Sequence, residues 1–513
     1  EANTTASFNT GVGRNALGLN TTGANNTAMG YNSLTANTTG IHNVALGALA
    51  LDANTTSSYN IAIGYGALTG AHTGGYTVAV GTNAASANTS GTNGVFVGYH
   101  AGYLNTTGSS NVVVGTVALD ANTTGANNIA IGTSALGANT TADNNTAVGT
   151  SALQNNTASN NTAVGRNALA LNTTGTSLVA IGADALYSNT TAANNIAIGL
   201  QALYYNTTGS ENTAVGRSAL VSNVSGSNNT AIAYGALNDN TTGVQNIAVG
   251  RNALGSNTSA ANNTAVGYNS LSANTTGIHN VALGALALDA NTTSSYNIAI
   301  GYGALTGAHT GGYTVAVGTN AASANTSGTN GVFVGYHAGY LNTTGSSNVV
   351  VGTVALDANT TGANNIAIGT SALGANTTAD NNTAVGTSAL AANTTGTANV
   401  AVGHISLDAN TTGNYNVAVG GETLSDVTTG SFNTGVGDGA GANITTASDN
   451  SAFGGGSLLT NTTGASNTAI GKNALRANTT ASNNVAVGYQ ALTATTYGAQ
   501  NTAVGTSALS SYS

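Results

Sequence analysis

Glycine recurs along this chain at a nearly constant interval. The step is 17 residues from Gly13 through to Gly149, shortens once to 16 at Gly165, and is 17 again from Gly250 onward, with Ala233 in the glycine's place in one repeat. Thirty repeats therefore share one register with a single deletion. Helical repeat units need roughly 33 residues or more, whereas a unit of this size matches one coil of a β-solenoid.

The repeat has the composition of a strand followed by turns. In the reference coil, residues 26–42, it reads N-T-A-M-G-Y-N-S-L-T-A-N-T-T-G-I-H, and the consensus is N-[TVI]-A-[VI]-G-x-x-A-L-x-x-N-T-T-[GA]-x-x. β-Branched residues favour strands, and regularly placed Gly and Asn favour tight turns. We therefore predict an all-β fold, a single-chain parallel β-solenoid of about thirty coils.

The repetition also sets the domain organisation. A chain of 513 residues is too long for one ordinary hydrophobic core, and its unbroken phase predicts one continuous β-solenoid repeat domain over residues 1–513. Within it, residues 24–153 recur as residues 261–390 with only Met29→Val266 and Thr35→Ser272 changed. Such near identity indicates that single coils hold no specialised position, which argues against an active centre.

Alternation of side chains along the strand gives two possible faces. We assign the apolar residue before the glycine (Met29 in the reference coil) and the leucine of the Ala-Leu pair (Leu34) to the interior, with Thr27 also facing inward. The central alanine, Ala28, is then expected on the outside, in a strip of small side chains along which a second chain could pack. Two or three buried aliphatics, at roughly 1.5 to 3 kcal/mol each, cannot order a lone coil, so stacking must supply the rest.

Composition excludes several classes of function. Charged residues make up 4% of the chain, and the net charge of −9 offers nothing to neutralise phosphates, so we expect no nucleic-acid partner. The chain has no cysteine, which removes disulfides and thiolate metal sites. No apolar run is long enough to predict a membrane span.

Almost every coil carries Asn-Thr-Thr or Asn-Thr-Ser at the same place. Three interpretations compete: a turn in which Asn amides stack from coil to coil, N-glycosylation at the N-x-[ST] triplets, and ice binding by a flat threonine array. Ice binding is the minor alternative, because adjacent threonines point in different directions. The candidate glycosylation or turn-ladder asparagines are Asn20, Asn37, Asn54, Asn88, Asn105, Asn122, Asn139, Asn172, Asn189 and Asn206.

The residues that usually carry chemistry do not form a recognisable site. Six of the seven histidines belong to duplicated pairs with no metal-ligand spacing, and we expect histidines to be exposed turn residues. Only His404 has carboxylates fairly near, Asp408 in its own coil and Glu422 in the next, but at different places in the repeat. We therefore predict no catalytic residues, no metal site and no cofactor, and a protein that is not an enzyme.

The repeat resembles two kinds of surface protein. The core Asn246-Ile247-Ala248-Val249-Gly250 is similar to the head repeats of trimeric autotransporter adhesins, and the longer unit over residues 26–40 resembles repeats of bacterial and phage tail-fibre-type proteins. This resemblance covers essentially the whole chain. It implies a parallel β-roll, an extracellular or cell-surface location, an adhesive or fibre function, and often a homotrimer.

The sequences at both ends of the chain follow the repeat pattern. Leu509 followed by Glu1-Ala2-Asn3 would preserve the Leu-x-x-Asn spacing apart from a short tail. We therefore expect copies to stack head to tail into a filament and to associate laterally as a bundle or trimer. The predicted function is that of a structural subunit of an extracellular fibre, with a surface adhesin or tail-fibre shaft that binds host or glycan surfaces as the alternative.

Overall fold

The fold is a parallel β-solenoid, as the glycine period predicts. The computed structural model describes residues 5–511, within which every regular element is a strand of three residues and no residue is helical. The chain divides into two compact units, the first extending to Ser259 and the second beginning at Ala260. Each unit contains fifteen strands.

The strands of the first unit are β1 Thr10–Val12, β2 Thr27–Met29, β3 Val44–Leu46, β4 Ile61–Ile63, β5 Val78–Val80, β6 Val95–Val97, β7 Val112–Val114, β8 Ile129–Ile131, β9 Thr146–Val148, β10 Thr162–Val164, β11 Val179–Ile181, β12 Ile196–Ile198, β13 Thr213–Val215, β14 Thr230–Ile232 and β15 Ile247–Val249. Those of the second unit are β16 Thr264–Val266, β17 Val281–Leu283, β18 Ile298–Ile300, β19 Val315–Val317, β20 Val332–Val334, β21 Val349–Val351, β22 Ile366–Ile368, β23 Thr383–Val385, β24 Val400–Val402, β25 Val417–Val419, β26 Thr434–Val436, β27 Ser451–Phe453, β28 Thr468–Ile470, β29 Val485–Val487 and β30 Thr502–Val504.

Within each unit, consecutive strands pair in parallel and in strict register. Ala28 lies opposite Ala45, and Ala45 lies opposite Ala62. The register also survives the one short repeat, because Ala147 still pairs with Ala163. The missing residue is absorbed in the turn, where the side chain of Asn156 bonds the carbonyl of Ala158 at 2.6 Å. The short strands are therefore the fixed part of the coil, and the turns take up variation in length.

The assignment of strand faces from the sequence is wrong. Ala28 is fully buried, whereas Met29 is 49% exposed and Thr27 is partly exposed. The core leucine, Leu34 in the reference coil, is buried as predicted. The interior is narrow at the strand centre, where alanine is the usual residue, and the β-branched and aliphatic residues on either side of it face outward.

Two larger residues also occur at the strand centre in the first unit: Val113 fits beside the usual asparagine and leucine, whereas Phe96 comes with compensating glycines. Phe96 replaces the alanine and is fully buried, with Gly94 and Gly102 where other coils have an asparagine and the core leucine. A Cβ on Gly94 would lie 2.4 Å from Cε2 of the ring, and one on Gly102 would lie 2.3 Å from Cδ1. One aromatic ring therefore fills the space that two side chains fill elsewhere, as close packing requires.

Backbone geometry explains the glycine period. The recurring glycine lies at the corner directly after the strand. Gly47, for example, has φ +136°, and a Cβ there would lie 2.5 Å from the carbonyl oxygen of Gly64 in the next coil. A side chain at this corner would thus clash with backbone and also adopt a conformation that L-residues avoid. The backbone of the core leucine is also in the left-handed region, with φ 51° at Leu34. The N–H of Leu34 donates to the carbonyl of Ala50 in the next coil at 2.9 Å.

Candidate functional site

The predicted turn asparagines lie in the interior of the coils. All ten candidate residues are at most 1% exposed. The amide of Asn37 donates to Oδ1 of Asn20 in the previous coil at 2.7 Å and to the carbonyl of Gly40 in its own turn at 3.0 Å. The same two bonds recur at Asn122, to Asn105 at 2.7 Å and to Gly125 at 3.0 Å. These side chains form a buried amide ladder along the stack.

This geometry bears on glycosylation. A glycan would be attached to the amide nitrogen, and in Asn37 that nitrogen is buried and makes both hydrogen bonds of the ladder. A sugar at that atom would have to break the ladder and leave buried acceptors without donors, which costs roughly 1 to 3 kcal/mol for each group. The folded coil therefore disfavours a glycan at the turn asparagines.

A second asparagine ladder directly precedes most of the strands and was not predicted as part of the interior. The backbone N–H of Asn43 donates to Oδ1 of Asn26 at 2.9 Å, and the amide of Asn26 donates to the carbonyl of Gly40 at 2.8 Å. The carbonyl of Gly40 thus accepts one amide from each ladder. The signal in the sequence was the recurrence of asparagine directly before the strand, which exposed turns alone do not require.

The threonines of the turn bond the neighbouring coil. The hydroxyl of Thr38 donates to the carbonyl of Thr55 at 3.1 Å, and the backbone N–H groups of Thr38 and Thr39 reach the same oxygen. The first threonine hydroxyl of the triplet is therefore engaged within the stack. This arrangement gives no support to a free threonine array for ice binding.

The outward strand residues form a largely aliphatic face on each unit, although threonine or serine takes the first outward position in twelve of the thirty strands. In β4, Ile61 is 37% and Ile63 is 36% exposed, and in β8 both Ile129 and Ile131 are 37% exposed. The second unit repeats this in β18 and β22. None of the strands of the described chain contains a charged residue. We call these two files of outward residues the aliphatic strand face.

Tyrosine and arginine border this face. Five of the six lysines and arginines, and eight of the twenty tyrosines, directly follow the corner glycine or the alanine that replaces it. The guanidinium of Arg14 lies 5.9 Å from the ring centre of Tyr31, and Tyr234 lies between Arg217 at 5.9 Å and Arg251 at 5.6 Å. Tyrosine and arginine are the residues enriched in protein interfaces.

The titratable residues do not converge on a site. Burial raises the pKa of Asp408, and the nearby Asp426 raises it further, while His404 and Glu422 are both exposed. Within residues 5–511, no group of His, Cys, Asp or Glu side chains is arranged to hold a metal ion. A shallow depression of about 280 Å³ is lined by Val117, Asp120, Ser134, Gly137, Ala138, Gln154 and Asn155. Asp120 is its one carboxylate, and burial raises the pKa of that group.

The expectation that the histidines are exposed is wrong for two of them. His72 and His309 are fully buried, whereas His42, His279 and His404 are exposed. The two buried residues occupy the place of the turn asparagine in their coils. The sequence signal was one extra residue after the core leucine, since four positions separate Leu68 from His72 and three separate leucine from asparagine in the reference coil.

The chain matches no model of a known protein family, and a search of curated proteins gives no match. In the part of the chain that the structure describes, no helix is long and apolar enough to cross a membrane.

Proposed function

We propose that the chain is a structural subunit of an extracellular fibre, and that copies of the chain associate side by side through the aliphatic strand face. A solenoid suits a structural role, because every coil is used to hold its neighbours. The observation that carries the proposal is the outward position of the aliphatic residues. A face this apolar is normally covered by a partner.

A second copy of the same chain is the partner that fits. Fifteen strands at about 4.8 Å each give a face about 70 Å long, and the two outward files make it about 10 Å wide, or roughly 700 Å². This is close to the ~800 Å² per partner that stable interfaces bury. A second copy also has the same spacing between files and coils, so its side chains stay in step along the whole length.

The test is the association state of a charged-face variant. Lysine at Ile61, Ile63, Ile129 and Ile131 places four charges in the aliphatic strand face, and we expect the dissociation constant measured by sedimentation equilibrium to rise at least about a hundredfold, since each desolvated charge costs several kcal/mol. A matched control places lysine at the exposed turn residues Thr56, Thr107, Thr124 and Thr141 and should associate like the wild type. A wild-type chain that stays monomeric, or equal effects of both variants, would refute the proposal.

A surface adhesin or tail-fibre shaft remains the alternative function. It would use the same solenoid as a spacer, with ligand contacts on exposed side chains such as Tyr65 and Tyr99, which are 56% and 51% exposed. A glycan array probed with the intact chain distinguishes the two, because a purely structural subunit binds no glycan.

A further inference from the structure

The turn at His72 interrupts the amide ladder of the first unit. In most other coils the turn asparagine donates to the asparagine of the coil before it, but here Oδ1 of Asn54 is buried and has no partner, as is also the case for Oδ1 of Asn139. Both ring nitrogens of His72 are also buried without a partner. The turn at His309 repeats this pattern in the second unit, with Oδ1 of Asn291 left unpartnered.

Unpaired polar atoms in an interior are costly, and an imidazole makes that cost depend on pH. A neutral ring tolerates burial, whereas an imidazolium ion must regain water. We propose that the turns at His72 and His309 are acid-labile, so that protonation expels the imidazole from the stack and opens one turn in each unit.

In the part of the chain that the structure describes, no carboxylate forms an ion pair with His72. In the coil before His72 the titratable side chains are Asp52 and Tyr59, in its own coil they are Tyr65 and Tyr76, and in the coil after it, residues 77–93, there are none. The pKa of His72 falls from its ordinary 6.5 to about 4 because of burial, while the backbone of Asn88 offsets a small part of the shift without completing a hydrogen bond. The pKa of His309 falls to about 4 for the same reason.

The turn has the means to open. It carries the extra residue and is rich in glycine, with Gly70, Gly74 and Gly75 around the histidine. The turn is attached to the neighbouring coils by the N–H of Gly70 to the carbonyl of Ser86 at 2.7 Å, by the N–H and the hydroxyl of Thr73 to that of Thr89 at 2.6 and 3.1 Å, and by the hydroxyl of Ser57 to the carbonyl of Gly74. The strands β4 and β5 on either side pair with each other through their own residues.

The direction of the pH effect follows from the lowered pKa. Above pH 6.5 the histidine is neutral in the closed and in the open turn, so the closed turn keeps its full stability. As the pH falls from 6.5 towards 4, the open turn binds a proton that the closed turn does not, and the opening equilibrium rises about tenfold per pH unit for each turn.

Hydrogen exchange measured by mass spectrometry tests this directly. Peptides that cover residues 66–78 have the same sequence as residues 303–315, so one signal reports both turns. After correction for intrinsic exchange, we expect the protection of this peptide to fall about tenfold per pH unit below pH 6.5, while strand peptides keep theirs. Protection that does not change with pH would overturn the proposal.

Paired variants distinguish the protonation of His72 and His309 from other effects of acid on the chain. His72→Asn with His309→Asn places the usual turn asparagine in both coils and should abolish the pH dependence. The control, His42→Asn with His279→Asn, changes two exposed histidines and should retain it. If the first variant does not fold, an NMR titration of the wild type decides: two of the seven histidines should titrate near pH 4, and ordinary titration of all seven would overturn the proposal.

Discussion

Single small residues decide how closely consecutive coils approach. The corner after β14 is the exception to the glycine rule, because Ala233 stands there with φ 104°. Backbone strain of this kind costs of the order of 1 to 3 kcal/mol. The stack tolerates it at one corner because the neighbouring coils fix the chain on both sides.

Replacing alanine by glycine at a corner and replacing glycine by alanine there should therefore change the free energy of unfolding in opposite directions. Ala233→Gly should raise the free energy of unfolding by about 1 kcal/mol. The matched change in the previous coil, Gly216→Ala, should lower it by about 1 to 3 kcal/mol, since the new Cβ would lie 2.6 Å from the carbonyl carbon of Ala233. Denaturant unfolding of both variants measures this, and a stabilising effect of Gly216→Ala would contradict the role of the corner.

The interior residue Phe96 allows a test of core volume. Phe96→Ala removes a fully buried ring between two glycines and should cost about 3 to 5 kcal/mol. Adding Gly94→Asn and Gly102→Leu to that variant recreates the ordinary coil and should recover most of the loss. A triple variant no more stable than Phe96→Ala would show that the ring does not substitute for those two side chains.

At the scale of the turn, the amide ladder holds neighbouring coils together. Asn122→Ala removes the donor to Asn105 and Gly125 and the acceptor for Asn139. Because the partners stay buried, we expect a loss of about 2 to 4 kcal/mol in denaturant unfolding. The exposed Asn155→Ala is the control and should change stability by less than about 0.5 kcal/mol.

The ladder also predicts the state of the glycosylation triplets. In folded chain purified from a glycosylating secretory host, glycopeptide mapping by mass spectrometry should find no glycan at the ten turn asparagines, which are buried. The physical reason is that their amide nitrogen is already used inside the coil. Glycans mapped to these asparagines, in material that remains folded, would show that the turn asparagines leave the interior.

Over the whole molecule, the solenoid fold could be predicted from the sequence because the glycine period is set by the backbone geometry of the coil. Corners that exclude a Cβ recur as glycine whatever the side chains elsewhere do. The strand faces could not be read from hydrophobicity, since either face of Thr27-Ala28-Met29 is acceptable when the width of the interior is unknown. The sequence does contain a signal for the buried face: the central residue is alanine in twenty-four of the thirty strands, and Phe96 occurs together with Gly94 and Gly102.

The most direct test of the fold and of the proposed function is a thiol scan across one strand. The chain has no cysteine, so Ile61→Cys, Ala62→Cys and Ile63→Cys each introduce a single reactive group. At concentrations where the chain is monomeric, the first and third variants should react rapidly with a maleimide and the second should be protected at least about a hundredfold, because opening a packed coil costs several kcal/mol. Rapid reaction at the central position with protection on both sides would place the aliphatic residues inside, and would remove the face through which copies of the chain are proposed to associate.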